Sequence, residues 1–307
     1  MRYTLKHFML IFCCVWIASC TSKNKSKTFD SPSSGKINIS VDESFKPVIE
    51  EQIKVYQSSY PNTEIIAHYK PEAECFKDLF FDTSVRMVIV TKTLNGEEEQ
   101  IMLDSLNYVP FQKIIATDAV TVVVNKKSTD TLFTVQRLRD QMSGKLGSKQ
   151  QIVFDGLKAT STIRYAMDTI LGGKPFDTSV VRAVKSSQDV LNFVAENENA
   201  IGFVGLSWIG NPEDTAQLNM LKKVKMAYVR CDRCADTPYV KPTQFGILAE
   251  RYPLVRGLYY ILKENFNGLG SGFANFLQFE RGQLIFRRAY LGPKMGFAIR
   301  DVVIKKI

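Results

Sequence analysis

The chain has 307 residues, 45% of them hydrophobic and 23% charged, with a formal charge of +9 and two histidines. That length accommodates two cores, and the composition excludes a disordered or collagen-like chain. Histidine-based catalysis has little material, and the basic residues are scattered rather than interleaved with aromatics in a patch, which argues against nucleic acid; the positive excess suits an anionic ligand or membrane surface.

Arg2 and Lys6 precede an apolar run over residues 8–18, and Ala18 and Ser19 lead directly to Cys20. This is the pattern of a bacterial lipoprotein signal, in which cleavage leaves Cys20 as the lipidated first residue. The apolar run falls short of the ~20 residues that a membrane-spanning helix needs. Residues 1–19 are therefore read as a signal peptide, and 20–36 as the lipid-bearing Cys20 with a flexible tether. The lipid would hold a soluble body at a membrane of the cell envelope, in the periplasm.

The body opens with a strand over 37–41, the polar residues Asp42, Glu43 and Ser44, and a helix marked by Phe45, Val48, Ile49, Ile53 and Tyr56. A strand over 64–68, a helix over 71–80, a strand over 86–90 and a helix over 96–106 continue the alternation. The stretch 109–125 is long and β-branched, so it divides into two strand segments near Asp118, where the chain crosses between lobes. A second alternation follows: helix 134–142, strand 151–154, a helix from Thr160, strand 179–184, helix 187–196, and strands over 201–204 and 224–229. The return crossing falls between 229 and 240. A strand over 254–262, helices over 273–279 and 282–289, and a closing strand over 297–304 complete the chain. Such alternation gives a largely parallel sheet with helices on both faces. The expected lobes are 37–117 plus 233–307, and 118–232. Ligands of open α/β sheets bind beyond the carboxyl ends of the strands, which points to the cleft between the lobes.

Within 154–173 a strand end, a polar loop and a helix start follow one another, and Thr160, Ser161 and Thr162 occupy the N-cap and first turn. Helix N-termini carry unpaired N–H groups, so hydroxyls placed there either cap the helix or help to hold a small anion. Ser44 and Thr91 would reach the same cleft from the other lobe.

Several stretches resemble the periplasmic phosphate-binding lipoproteins of ABC importers, the PstS-like branch of the type II periplasmic binding proteins. The segments at 44–47 (SFKP), 117–125, 138–145, 200–205, 251–260 and 272–277 follow that family's order over most of 37–307. The resemblance implies a two-lobe type II fold with two crossovers. It also implies capture of inorganic phosphate or another small anion for an ABC permease, by a monomer, with no cofactor, metal or chemistry on the ligand. Carried over by position, Ser44 and Phe45 offer a hydroxyl and backbone amides, and Thr160, Ser161 and Thr162 correspond to the family's Ser-Gly-Thr turn. Two positions depart from the pattern. The family's buried aspartate falls at Thr91, with no carboxylate adjacent, and its arginine falls near Gly156 or Leu157. Lys92, Lys158 and Arg164 could replace that charge, Arg164 with the fork geometry for an oxyanion. These departures give weight to an alternative, a repurposed binding fold serving as a sensor or interaction lipoprotein without phosphate transport.

Other features read as structural. Glu72 and Glu74 are expected as solvated carboxylates at a helix start, and Gly268, Gly270 and Gly272 as a flexible turn. Trp208 is expected to pack a lobe. Cys231 and Cys234 are a disulfide or structural thiols rather than half of a metal site, with a thiol oxidoreductase as a weaker rival.

Overall fold

The computed structural model describes residues 30–147, 150–156, 160–236 and 238–296. The leader, Cys20, the tether up to residue 29, Lys158 and the expected strand over 297–304 lie outside them. The described residues from Ser31 onward form one compact unit.

The first half alternates as its hydrophobic pattern requires: β1 (Ser34–Asp42), a 3-10 turn (Glu43–Phe45), α1 (Lys46–Ser59), β2 (Asn62–Lys70), α2 (Glu72–Phe81), β3 (Val85–Val90) and α3 (Gly96–Leu106). A capping box fixes the start of α3, with Asn95 accepting from the Glu98 amide and Glu98 accepting from the Asn95 amide. Next come β4 (Phe111–Asn125), β5 (Leu132–Phe133), α4 (Val135–Met142), β6 (Gln151–Phe154), and α5 (Ser161–Tyr165) running into a π-helical segment (Ala166–Ile170). Then follow β7 (Val181–Ala183), α6 (Ser187–Glu196), β8 (Ala200–Gly205), a 3-10 turn (Leu206–Trp208) and α7 (Thr215–Met220). The chain ends with β9 (Val224–Met226), β10 (Tyr228–Arg230), β11 (Tyr239–Val240), α8 (Gln244–Leu248), β12 (Val255–Leu262), α9 (Leu269–Gln278), α10 (Glu280–Arg288) and β13 (Gly292–Pro293).

The main sheet runs β2-β1-β3-β12-β4-β8-β6-β7, with β9 and β13 also paired to β4. Strands β1, β2 and β3 are mutually parallel on one side, and β6, β7 and β8 on the other. β4 joins the two sides as one continuous strand, which corrects the expected division at Asp118. Its first part, up to Ala119, pairs with β12, and its second part, from Val120, pairs with β8. The chain does change sheet halves there, but it does so without a break. Asp118 stays inside the strand because it is buried against the guanidinium of Arg256, directly opposite on β12.

Two further expectations change. The run 224–229 splits at the buried Ala227, so that β9 joins β4 while β10 pairs with β5 and β11 in a separate small sheet. Gly270 and Gly272 lie inside α9, and Gly268 is its N-cap. The buried Glu264 carboxylate accepts from the amides of Gly270 (3.1 Å) and Ser271 (2.9 Å), so a side chain satisfies that helix start. Cys231 and Cys234 form a disulfide, and Cys75 is a buried free thiol. No described helix is long and apolar enough to cross a membrane.

Helix α6 lies on β8 through Gly202. A Cβ there would come within 2.7 Å of Val190 Cγ1 and Val194 Cγ2, and 2.9 Å of Val123 Cγ2. Gly202→Ala is therefore expected to lower stability by about 1–3 kcal/mol through overpacking, read by denaturant unfolding.

Candidate functional site

The carboxyl ends of the parallel strands converge. β1 delivers Asp42, Glu43, Ser44 and Phe45; β2 delivers Glu72; β3 delivers Thr91; β6 delivers Asp155 and, past its loop, Thr160 to Thr162. Ser44 Oγ lies 3.3 Å from Ser161 Oγ and 3.4 Å from Thr162 Oγ1, all three residues being fully buried. Hydroxyls 117 and 118 residues apart in the chain thus meet across the join of the two sheet halves. Thr160 is turned away from this group. It donates to Asp155 Oδ1 at 2.9 Å and accepts from the Ile163 amide as the N-cap of α5. The Ser44 amide, expected to face a ligand, donates instead to Asp42 Oδ1 at 3.1 Å. Phe45 contributes its ring, 5.0 Å from the guanidinium carbon of Arg256.

Arg256 is the residue that sequence reasoning missed as a site residue. Its Nε donates to Asp118 Oδ2 at 2.8 Å and its Nη1 to Ser161 Oγ at 2.9 Å, while its Nη2 is buried without a hydrogen-bond partner. Asp118 is further held by the Leu206 amide, 3.1 Å from Oδ1. Gly205 lets the guanidinium approach the backbone, since a Cβ there would stand 3.1 Å from Nη2 and from the Ser44 carbonyl oxygen. Asp42 Oδ2 is likewise buried without a hydrogen-bond partner. Burial pushes the Asp42 carboxyl up to about 7; the charge of Glu72 adds to this, and Arg256 opposes it. The site therefore holds one unused cationic donor and one carboxyl oxygen able to accept or, when protonated, to donate.

Thr91 and Arg164 meet as well. Arg164 Nη2 donates to Thr91 Oγ1 at 2.7 Å, and Arg164 Nε donates to Glu72 Oε2 at 2.6 Å. Glu72 Oε1 accepts from the Thr91 amide (2.7 Å) and hydroxyl (2.6 Å). Glu72 is 2% exposed, which corrects the solvated carboxylate expected from its place at the start of α2; Glu74 alone is exposed there. Burial works against the Glu72 charge, but Arg164 and Thr91 outweigh it and hold the carboxyl below its ordinary range. A carboxylate does adjoin Thr91, then, from 19 residues away in sequence. Lys92 is elsewhere, paired with Glu98 at 2.9 Å over the Phe76 ring.

A third contact spans the sheet halves. Ser187 Oγ lies 2.8 Å from Glu43 Oε2 and 3.0 Å from Asp155 Oδ2. One hydroxyl proton cannot serve two carboxylates, so a further proton on one of them completes the arrangement. Burial pushes Glu43 up to about 7, with the charge of Asp155 acting in the same direction and the Ser187 hydrogen bonds against it.

A groove of about 680 Å³ runs outside this cluster, past Lys46, Glu50, Trp208, Glu213 and Arg288. Two of its ion pairs join Arg288 to Glu213 and Lys46 to Glu50, and Ser207 on its wall donates its hydroxyl to the Ser44 carbonyl oxygen at 2.6 Å. The unpartnered guanidinium nitrogen and carboxyl oxygen lie in the buried cluster; the groove has only the Trp208 indole N–H among such groups. Trp208 packs partly buried beside α6 and β8, as expected. Among the described residues no group of three or more His, Cys, Asp or Glu side chains could hold a metal ion.

A search of curated protein sequences finds no significant match. Among solved structures, a Clostridium perfringens protein assigned as a phosphate ABC transporter substrate-binding protein, with bound phosphate, superposes with a TM-score of 0.68 at 21% identity, over 85% of this chain and 100% of that one. An ABC-type phosphate transport receptor from Vibrio cholerae superposes with a TM-score of 0.60 at 18% identity, over 83% of this chain and 99% of that one. At such identities the likeness is one of fold. A family model described as a PBP superfamily domain matches residues 26–280. The chain belongs to the PBP superfamily and has the α/β fold of the type II periplasmic binding proteins.

Proposed function

We propose that this protein is an extracytoplasmic solute-binding lipoprotein that captures a small oxyanion, inorganic phosphate first among them, and presents it to an ABC permease. The observation that carries the reading is the buried Arg256 guanidinium, bonded to Asp118 and Ser161 and left with an unused Nη2 beside the Ser44, Ser161 and Thr162 hydroxyls. A buried cationic donor among hydroxyls is the donor set that an oxyanion needs. Asp42 Oδ2 would accept from a protonated ligand oxygen, which favours phosphate over sulfate.

The Ser44 hydroxyl now bonds those of Ser161 and Thr162, so an anion would enter by separation of the two lobes, taken as 37–117 plus 233–307 and 118–232, followed by closure over the ligand. In this reading Cys20 carries the lipid that keeps a monomeric body at the membrane. The two phosphate-receptor folds that superpose on the chain support the permease partnership by analogy.

Calorimetric titration of the purified protein, stripped of ligand by unfolding and refolding, tests the reading against phosphate, sulfate and a neutral solute. Phosphate is expected to bind. The double substitution Ser161→Ala plus Thr162→Ala should weaken it by about two to four orders of magnitude, because each lost hydrogen bond to a charged group is worth about 1.5–3 kcal/mol. Absence of heat with every oxyanion would sink the proposal and leave the repurposed binding fold in its place.

A further inference from the structure

The Glu72 carboxylate is held as a bound anion would be. It takes hydrogen bonds from a backbone amide (Thr91, 2.7 Å), a hydroxyl (Thr91, 2.6 Å) and a guanidinium (Arg164, 2.6 and 3.4 Å). Amide, hydroxyl and guanidinium are the donors from which oxyanion sites are built. Glu72 comes from the end of β2 and Arg164 from α5, so the carboxylate bridges the two halves of the main sheet. Its oxygens take Nε and Nη2 of Arg164, and Asp168 Oδ2 takes Nη1 at 3.3 Å. Of the two cleft arginines, this leaves Arg256, itself shared with Asp118, to meet a ligand.

Resting on the oxyanion-binding reading above, we propose that Glu72 is a specificity-determining residue: a tethered carboxylate that occupies Arg164 and Thr91 in place of a free anion and turns the site against doubly charged ligands. With Arg164 paired to Glu72 and Arg256 to Asp118, the buried cleft has no net positive charge to offset a dianion.

The test is calorimetric titration with sulfate, a dianion at neutral pH, and with inorganic phosphate, on the wild-type protein, Glu72→Gln and Glu72→Asp. Glu72→Gln keeps the shape and frees the Arg164 charge; Asp168 still pairs with Arg164, whose side chain is 35% exposed, which favours retention of the fold. Glu72→Asp keeps the charge but draws it back from Arg164, and so remains readable should the glutamine variant fail to fold. Sulfate affinity is expected to rise at least tenfold in Glu72→Gln and about threefold in Glu72→Asp. Unchanged or weaker sulfate binding in both variants, with wild-type phosphate binding intact, overturns the role of Glu72 and leaves the functional reading standing. A wild type that binds neither anion while Glu72→Gln binds sulfate supports the role and removes phosphate capture as the native function. No binding by any folded variant overturns both.

Discussion

Replacing Arg256 with alanine is expected to lower the unfolding free energy by about 3–5 kcal/mol and to abolish oxyanion binding. Arg256 and Asp118 are 5% and 0% exposed, so removal of the cation leaves the Asp118 carboxyl in the core without its counter-ion and with only backbone amides to hold it. Two controls separate folding from binding. The double substitution Arg256→Met plus Asp118→Leu removes both charges at similar volume, and should recover most of the stability without restoring binding. Arg256→Lys keeps the charge but not the fork. A single ammonium cannot reproduce the planar contacts with Asp118 and Ser161, so an intermediate loss is expected in both measurements. Denaturant unfolding reads the first quantity and calorimetry the second. A loss of stability below about 1 kcal/mol in Arg256→Ala would show that the pair is not the buried anchor described above.

The sequence pattern made the fold legible because its periodicities are strong and its turns polar. The boundaries of α3, β6 and α6 coincide with the expected ones. The candidate cluster was legible where it depends on local chemistry: Ser44, Ser161 and Thr162 meet because each follows a strand at its carboxyl end. It was hidden where it depends on register. Arg256 sits in Val255-Arg256-Gly257-Leu258 and Asp118 in Thr117-Asp118-Ala119, each a lone charge in an apolar run. Only the pairing of β12 with β4 sets them opposite each other. A charged residue within an otherwise buried strand was the available signal, and it was read at Asp118 as a break. Glu72 was hidden for a different reason. An acidic residue at a helix start usually faces water, and only the approach of Thr91 and of Arg164, 92 residues away, buries it.

Stability is expected to fall as pH rises from about 5 to about 7, by about 3 kcal/mol, opposite to the usual behaviour of carboxylate-rich proteins on leaving acid. Burial raises Asp42, with the Glu72 charge adding and Arg256 opposing, and raises Glu43, with Asp155 adding and Ser187 and Lys46 opposing; both reach about 7. Unfolded carboxyls titrate near pH 4. Below that both states hold the protons, and above about 7 neither does. In between, the folded chain keeps protons that the unfolded chain releases, so each such group makes the unfolding free energy fall by at most about 1.4 kcal/mol per pH unit. Asp118 and Asp155, also raised by burial, act in the same direction. Glu72, held down by Arg164 and Thr91 despite its burial, acts in the opposite direction, but only below the ordinary carboxyl range. Urea unfolding at closely spaced pH values measures the slope. Asp42→Asn and Glu43→Gln, which mimic the protonated forms, should each flatten it. A slope that is flat or rising in the wild type would mean that the proton shared among Glu43, Ser187 and Asp155 is absent from the folded state.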